Sequence, residues 1–564
     1  MIQTHAQPPR SSVITPHGGS LVELVVEAEE AKRLLQESVG LPSIILSTRA
    51  MCDLELMATG AFSPLKQFLG QADYCRVLEE MRLADGILWP IPITLPVHPS
   101  ADIRLDHRVV LRSPRYDVLA ILTVEEAYGW DCAVEAQAVA GTTDLRHPLV
   151  AEMSSWGSVY LSGRLQVLNL PRHYDFVDLR RPPTQLRKIF EELRAGSVLA
   201  FQPTEPLTLT DEQFAKDAAE RYRSILLLNP LVGLSRQGDF GHFTRVRACR
   251  TVVDRYCRTG STLVSVWPLS ARHAGPREAL WEAVVNRNYG VSHMVVSDDH
   301  GGAGCDSRGN RFYPTGASQD LVCRFEGETG VIMVPYSSEV RTKQSVRQTS
   351  PDGTSAEGKS GAPHAVWRPE VEQLVARASP SRDRSGFCVW LTGLSGAGKS
   401  SIAEVLVPML MEYGRQVTIL DGDVVRTHLS KGLTFSKEDR DMNIRRIGFV
   451  AAEIVRHHGV VICATVSPYR STRNEVRSMI GEGRFLEVYV NTPIEVCERR
   501  DTKGMYAKAR KGELRGFTGV NDPYEPPLRP ELNLTAIDCT AEDNARRILG
   551  FLRLRGFVSD DAGA

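Results

Sequence analysis

The chain is 564 residues long, 42% hydrophobic and 24% charged, the balance of an ordinary folded protein with room for three or four domains. Its 67 basic and 68 acidic residues leave a net charge of -1, whereas proteins that bind nucleic acid or a membrane surface carry a basic excess, so neither partner is expected. No stretch approaches the ~18 apolar residues of a membrane span, and the N-terminal segment lacks the apolar core of a secretory signal.

Taken in chain order, residues 1–168 are rich in short apolar runs broken by Pro, Gly and Asp. Trp89-Pro-Ile-Pro-Ile-Thr-Leu95 and Arg108-Val-Val-Leu-Arg112 predict strands with turn punctuation, interleaved with helical pieces such as Asp73 to Met81. Across 169–335 the rhythm changes. Buried-strand candidates begin at Val198, Ser224, Thr262 and His293, and they alternate with helical patterns from Pro183, Asp211, Phe243 and Pro276. That alternation predicts a mainly parallel α/β sheet. Residues 336–385 read as a linker, polar from 341 to 364, with a short helix around Pro369 to Arg377. The last unit, 386–564, is again α/β, with strands expected at Phe387 to Thr392, Gln416 to Leu420, Val460 to Ala464 and Phe485 to Val490. The 11 cysteines are dispersed and form no C-x-x-C pair, which reads as reduced thiols in the cytoplasm, with no disulfide frame and no zinc site.

The chemistry concentrates at Gly393-Leu-Ser-Gly-Ala-Gly-Lys399-Ser400, which follows a strand candidate and opens a helix running to about Tyr413. This G-x-x-x-x-G-K-[ST] spacing makes a phosphate cradle. Glycines turn successive backbone N–H groups inward, the lysine reaches the β/γ-phosphates, the serine hydroxyl binds Mg²⁺, and the helix adds its positive end. Gly393, Ser395, Gly396, Gly398, Lys399, Ser400 and Ser401 are therefore the candidate nucleotide-binding residues. Asp421-Gly-Asp423 falls at the carboxyl end of the next strand, on the ligand side of an open α/β sheet. Carboxylates there can hold Mg²⁺ through water or accept a proton from a substrate hydroxyl; a plain Asx-rich turn is the structural alternative.

Further motifs follow in order: Arg426, Gly432-Leu-Thr-Phe435, Arg440-Asp-Met-Asn443-Ile-Arg-Arg446, Ser467-Pro-Tyr469-Arg470, Asp501-Thr-Lys503-Gly-Met-Tyr-Ala-Lys508-Ala-Arg510, Gly516-Phe517-Thr-Gly519 and Asp522-Pro-Tyr-Glu. Along its whole length this unit resembles an adenylylsulfate (APS) kinase. The resemblance implies transfer of the γ-phosphoryl group of ATP to the 3′-hydroxyl of APS, with Mg²⁺, to give PAPS. It implies that Phe435 and Phe517 sandwich the APS adenine. Arg426, Arg440 and Asn443 would contact its phosphosulfate and ribose, with Asp421 and Gly516 in the same substrate set. Asp423 is expected to orient or accept the 3′-hydroxyl proton and to share the metal with Ser400. Lys503, Lys508 and Arg510 would sit on a lid over the phosphates. Ser467 matches a serine described in the family as a phosphorylation site or intermediate, although in-line transfer needs only positioning and charge stabilisation.

The N-terminal two-thirds resembles an ATP sulfurylase, through Thr15-Pro-His-Gly-Gly19, Gly60-Ala-Phe-Ser-Pro64, Gly141-Thr-Thr-Asp144, His173-Tyr-Asp-Phe176, Ala274-Gly-Pro-Arg-Glu-Ala279 and Asn288-Tyr-Gly290. The fold implied for the chain is α/β multidomain: a β-rich PUA-like domain, a Rossmann-like nucleotidyltransferase-type domain and a P-loop kinase domain. The catalytic motifs depart from the family's. Q-x-R-N-P-x-H-x-x-H reads Gln202-Pro-Thr204-Glu205-Pro-Leu-Thr208-Leu-Thr-Asp211, G-R-D-H-A-G reads Ser297-Asp298-Asp-His300-Gly-Gly302, and H-A-x-x-R reads Glu282-Ala-Val-Val-Asn286. Sulfate attack on an α-phosphate brings two anions together, each lost donor typically costs ~10²–10³ in rate, and Glu205, Asp211 and Asp298 are expected to add negative charge there. The expectation is an inactive sulfurylase-like domain kept as a scaffold or as a regulatory nucleotide site. A working bifunctional enzyme, with Arg236, Arg245 or Arg247 as replacement cations, is the alternative. Family resemblance also implies a homo-oligomer formed through both kinds of domain.

Overall fold

The structure, a computed structural model, describes residues 13–558 apart from 100–102, 235–239, 259, 307, 338–365, 379–381, 423–424, 426–428, 431, 434–435, 482, 502–503, 515, 536 and 538. Three five-stranded sheets organise it. The first holds β1 (Ser43–Ile45), β2 (Leu95–Val97), β3 (Arg108–Arg112), β4 (Val118–Gly129) and β5 (Val159–Val167) in the order β1-β3-β4-β5-β2, antiparallel except for β1 on β3. The run expected as a strand at Trp89 to Thr94 lies outside any strand. Pro90 and Pro92 have no N–H to give a ladder, so the segment crosses the core as irregular chain with Trp89, Ile91 and Ile93 buried.

The second sheet is fully parallel: β6 (Val198–Phe201), β7 (Ile225–Leu228), β8 (Thr262–Val264), β9 (His293–Ser297) and β10 (Ile332–Tyr336) lie in the order β10-β9-β6-β7-β8. The chain steps outward from β6 to β8, then returns to the other side of β6. The strand order therefore reverses between β6 and β9, where open α/β sheets form their ligand crevice. This domain shares its hydrophobic core with the first. Phe62 packs on both Trp89 and Trp281, and the buried Arg272 guanidinium takes both Asp53 oxygens at 2.7 Å. The helix Pro369–Ala378 is present and docks on the same domain. Arg368 donates to both oxygens of Glu212, Glu370 accepts from Arg255 and Tyr256, and Val371 is fully buried.

The third sheet is also parallel: β11 (Phe387–Thr392), β12 (Val417–Asp421), β13 (Val460–Ala464), β14 (Phe485–Val490) and β15 (Leu532–Leu534), ordered β12-β13-β11-β14-β15. The alternating side chains of β11 feed two cores. Phe387, Val389 and Leu391 pack under the helices Lys399–Glu412 and Ala541–Leu554, while Cys388 and Trp390 pack under Lys437–Arg456 and Arg470–Ile480. Both faces are covered, so β11 and β13 read as continuous apolar runs.

Candidate active sites

In the third domain, β11 ends at the crevice between β13 and β14, and the glycine-rich loop starts there. Gly393, at φ +148°, passes so close to β14 that a Cβ would lie 2.5 Å from the Val490 carbonyl oxygen, so only glycine fits. Gly396 and Gly398 also have positive φ, and Gly398 caps the helix that begins at Lys399. The Lys399 ammonium donates to the Gly393 and Leu394 carbonyls at 2.9 and 2.7 Å, which holds it at the mouth of the loop. Ser400 donates to Asp421 Oδ2 at 2.7 Å, while Ser401 is exposed on the first turn. The loop is gripped from outside by Tyr506, whose hydroxyl donates to the Ser395 carbonyl at 3.0 Å. Tyr506 belongs to the short helix Met505–Arg510, whose first N–H groups at Met505 and Ala507 are accepted by the Asp501 carboxylate. Burial works to raise the Asp501 carboxyl, but the backbone N–H groups of Ala507, Tyr506 and Met505 together hold it below the usual range.

Opposite the loop, helix Lys437–Arg456 brings in Arg440 and Asn443, both largely buried. Arg440 donates to Thr518 Oγ1 at 2.8 Å and to the Tyr469 hydroxyl at 2.7 Å, and it lies 2.9 Å from Asp522 Oδ2. Asn443 accepts from Ser430. Phe517 is buried edge-on against Tyr506, after Gly516 at φ +72°. Ser467 is 2% exposed and sits at φ +41°. Its hydroxyl accepts from Trp390 Nε1 at 3.1 Å and donates to Thr392 Oγ1 at 2.9 Å, so the serine that matches the family's phosphorylation site is built into the wall. Asp423, Arg426, Phe435 and Lys503 lie outside the described residues. Sequence reasoning brought together Lys399, Ser400, Asp421, Arg440, Asn443, Ser467 and Phe517. It quoted Tyr469, Tyr506, Thr518 and Asp522 inside motifs without giving them roles.

The crevice of the second domain is filled differently. Gln202 follows β6, Asn229 follows β7, His300 follows β9, and Glu278, Glu282 and Asn286 project from the helix Pro276–Asn288. Gln202 Nε2 donates to Glu282 Oε1 at 3.0 Å and His300 Nε2 meets Glu282 Oε2 at 2.6 Å. Asn229 Nδ2 reaches Gln202 at 3.4 Å, and Asn286 Nδ2 turns back to the Glu282 carbonyl. Burial works against an imidazolium at His300, but the adjoining Glu282 charge and hydrogen bond raise its pKa above the ordinary value. Burial, then the Glu282 charge, pushes the Glu278 carboxyl up to about 7.

Asp211, expected to add negative charge to this crevice, is instead residue N3 of a capping box. Thr208 accepts from its N–H, its carboxylate accepts the Thr208 N–H, and Tyr336 donates to its other oxygen. The spacing T-x-x-D ahead of a helical pattern was the local signal for that role. Glu205 is exposed, and Asp298 is half-buried and accepts from Ser337. Of the replacement cations, Arg236 lies outside the described residues. Arg245 is buried and donates to the Leu231 carbonyl, and Arg247 is exposed over the Phe243 ring.

Comparison with known proteins agrees with this architecture. The PUA-like domain model matches residues 14–170, the ATP-sulfurylase model residues 177–360 and the adenylylsulphate kinase model residues 385–535. The third domain is thus a P-loop phosphotransferase of the adenylylsulfate kinase class, joined to an ATP-sulfurylase-type α/β domain. A sulfate adenylyltransferase of Mycosarcoma maydis is 40% identical over 545 residues, which is 92% of this chain and 95% of that protein. One from Aspergillus clavatus is 39% identical over 568 residues, 96% of this chain and 99% of that protein. The solved structure of a hexameric APS kinase from Thiobacillus denitrificans is 32% identical and covers 97% of this chain and 100% of its own, with a TM-score of 0.62. The chain belongs to the family that joins ATP sulfurylase and APS kinase in one polypeptide. Among the described residues no helix is long and apolar enough to cross a membrane.

Proposed function

We propose that the chain makes PAPS by transferring the γ-phosphoryl group of ATP to the 3′-hydroxyl of APS, and that its sulfurylase-type domain does not adenylylate sulfate. The kinase half rests on the P-loop with Lys399, Ser400 and Asp421, and the observation that carries the sulfurylase half is the Gln202–Glu282–His300 network. Sulfate attack on the α-phosphate of ATP concentrates negative charge, and such a site works through donors aimed at that charge. Here the retained histidine and glutamine spend their donors on a carboxylate, and that carboxylate would face the incoming anions.

In the kinase domain, Lys399 would exchange its two carbonyl partners for the β/γ-phosphates. Ser400 and Asp421 present hard oxygen donors 2.7 Å apart beside the loop, which fits Mg²⁺. Mg²⁺ held by these oxygens would supply charge neutralisation for the triphosphate. Arg440, Asn443 and Phe517 would take APS, together with Arg426 and Phe435, and Asp423 would orient the 3′-hydroxyl. Lys503 would close over the phosphates with Lys508 and Arg510. Ser467 acts as a wall residue that fixes Thr392 and Trp390. The full-length relative titled a hexameric APS kinase supports the reading and also suggests a homo-oligomer.

The fully bifunctional reading is favoured by relatives named sulfate adenylyltransferase. A pair of assays separates the two. APS-dependent ADP release from ATP is expected, and ATP formation from APS plus pyrophosphate is expected to be absent. Robust ATP formation would overturn the inactive-domain half, and no ADP release from folded protein would overturn the kinase half.

A further inference from the structure

Arg440 is the centre of a closed ring of hydrogen bonds that gathers three separate segments. Its own helix, Lys437–Arg456, supplies the guanidinium. The loop before helix Arg470–Ile480 supplies Tyr469, and the turn after Phe517 supplies Thr518 and Asp522. One Asp522 oxygen serves two partners: the Tyr469 hydroxyl donates to it at 2.7 Å and Arg440 lies 2.9 Å away. Tyr469 in turn accepts from Arg440 at 2.7 Å, and Thr518 accepts from Arg440 at 2.8 Å. The Arg440 and Lys437 cations lie 5.3 and 5.1 Å from the Tyr469 ring centroid. Asp522 is also tied to the adenine side, because its carbonyl accepts the Gly519 N–H at 2.8 Å and its N–H donates to the Phe517 carbonyl.

A guanidinium has five N–H donors in a rigid plane. With its edges pinned to Thr518, Tyr469 and Asp522, Arg440 can present only one orientation to a ligand. The same pins join it to the turn that carries Phe517. The backbone bonds among Phe517, Gly519 and Asp522 hold the adenine side on their own, so cutting the side-chain ring frees Arg440 more than it moves Phe517.

Resting on the APS kinase reading above, we propose that Asp522 and Tyr469 are positioning residues for the nucleotide acceptor: they aim Arg440 at the phosphosulfate and lock its orientation to the Phe517 turn. They act through Arg440 and do not themselves touch the reacting atoms.

The test uses the full chain and two readouts. Binding of APS, and of adenosine as a probe without the anion, is measured by calorimetry, and steady-state kinetics give KM for APS and for ATP. Asp522→Ala is expected to weaken APS binding about tenfold and raise KM for APS in step, with adenosine binding and KM for ATP changed less than about threefold. Asp522→Asn, which keeps an acceptor oxygen, should recover most of the loss. Tyr469→Phe should share it, and Asp522→Ala combined with Tyr469→Phe should cost little more than either alone, since both cut one ring. Unchanged APS affinity in the folded Asp522→Ala protein, or losses in the double variant that simply add, would overturn the inference. Equal weakening for APS and adenosine would also overturn it, because that marks a merely structural turn. Wild-type protein that binds APS without turning it over would sink the kinase reading while the binding arm still judges the clamp. Wild-type protein that binds no APS would overturn both.

Discussion

The second and third domains solve the same geometric problem and finish it in opposite ways. Each is a parallel sheet with helices on both faces, and each has a crevice at the carboxyl ends of its central strands. In the third domain the crevice holds Lys399 on two loop carbonyls, Ser400 on Asp421, and Arg440 across Thr518, Tyr469 and Asp522, and the proposed function turns the two cations toward the anionic parts of ATP and APS. In the second, side chains at equivalent strand ends are directed at each other, and the Glu282 carboxylate takes the donors of Gln202 and His300. A nucleotide fold is therefore set by the sheet, whereas phosphate chemistry depends on which partners the strand-end residues find.

The contrast breaks most sharply at Lys399. Lys399→Met is expected to cut APS-dependent ADP release by at least about 10²–10³, the scale of a lost transition-state donor, while Glu282→Gln leaves that rate within about twofold. A kinase rate that fell with Glu282→Gln would mean the two crevices are coupled.

Stability sharpens the comparison next. Glu282→Gln should destabilise the front half by about 1.5–3 kcal/mol near pH 6, the worth of a charge-assisted hydrogen bond, read by denaturant unfolding. His300 has a raised pKa in the folded state, so its contribution is complete below the unfolded value near 6.5 and is lost as pH rises through the folded value. The wild-type advantage over Glu282→Gln should therefore narrow from pH 6 to pH 9. Glu278, at about 7 in the fold against 4.5 unfolded, has the same sign, because the folded state holds the proton longer and stability falls as pH rises across that window. An advantage that widened with pH would disprove a protonated cluster.

The smallest effect concerns the grip on the loop. Tyr506→Phe removes one hydrogen bond to the Ser395 carbonyl, worth about 0.5–1.5 kcal/mol, and should raise KM for ATP a few-fold with KM for APS nearly unchanged.

Much of this was readable from the chain alone, for physical reasons. Strands buried on both faces, such as Val198–Phe201 and Val460–Ala464, show as uninterrupted apolar runs, and the P-loop carries its own backbone requirement in three glycines. The glycine-rich loop, Asp421 and Ser467 stood out as strand-end motifs after β11, β12 and β13, whereas Arg440 and Asn443 lie on the helix Lys437–Arg456 and Phe517 in a loop, so those three came only from the family resemblance. The Glu282–His300 pair was not legible, because it joins positions 18 apart on a helix and a loop that meet only once β9 is laid beside β6. Asp211 was misread because a capping box and an anion-facing carboxylate look alike until the hydrogen bonds are traced. Trp89 to Thr94 had the composition of a strand but not the N–H groups. The short edge strand β15 and the strand β10 were missed: three residues carry little periodicity, and β10 contains Pro335.

The core shared by the first two domains sets how the chain can be divided. Phe62, Trp89 and Trp281 interlock across that boundary, and Asp53 answers Arg272 from the other side of it. Severing the chain between β5 and β6 would leave each piece with a raw apolar face and a stranded charge. Ahead of β11 the helix Pro369–Ala378 is docked on the front half, Arg382 already packs over the Phe557 ring of the kinase, and the kinase keeps separate cores. Topology counts three domains, but the hydrophobic cores divide the molecule into two parts, and the kinase is the part whose cores are its own.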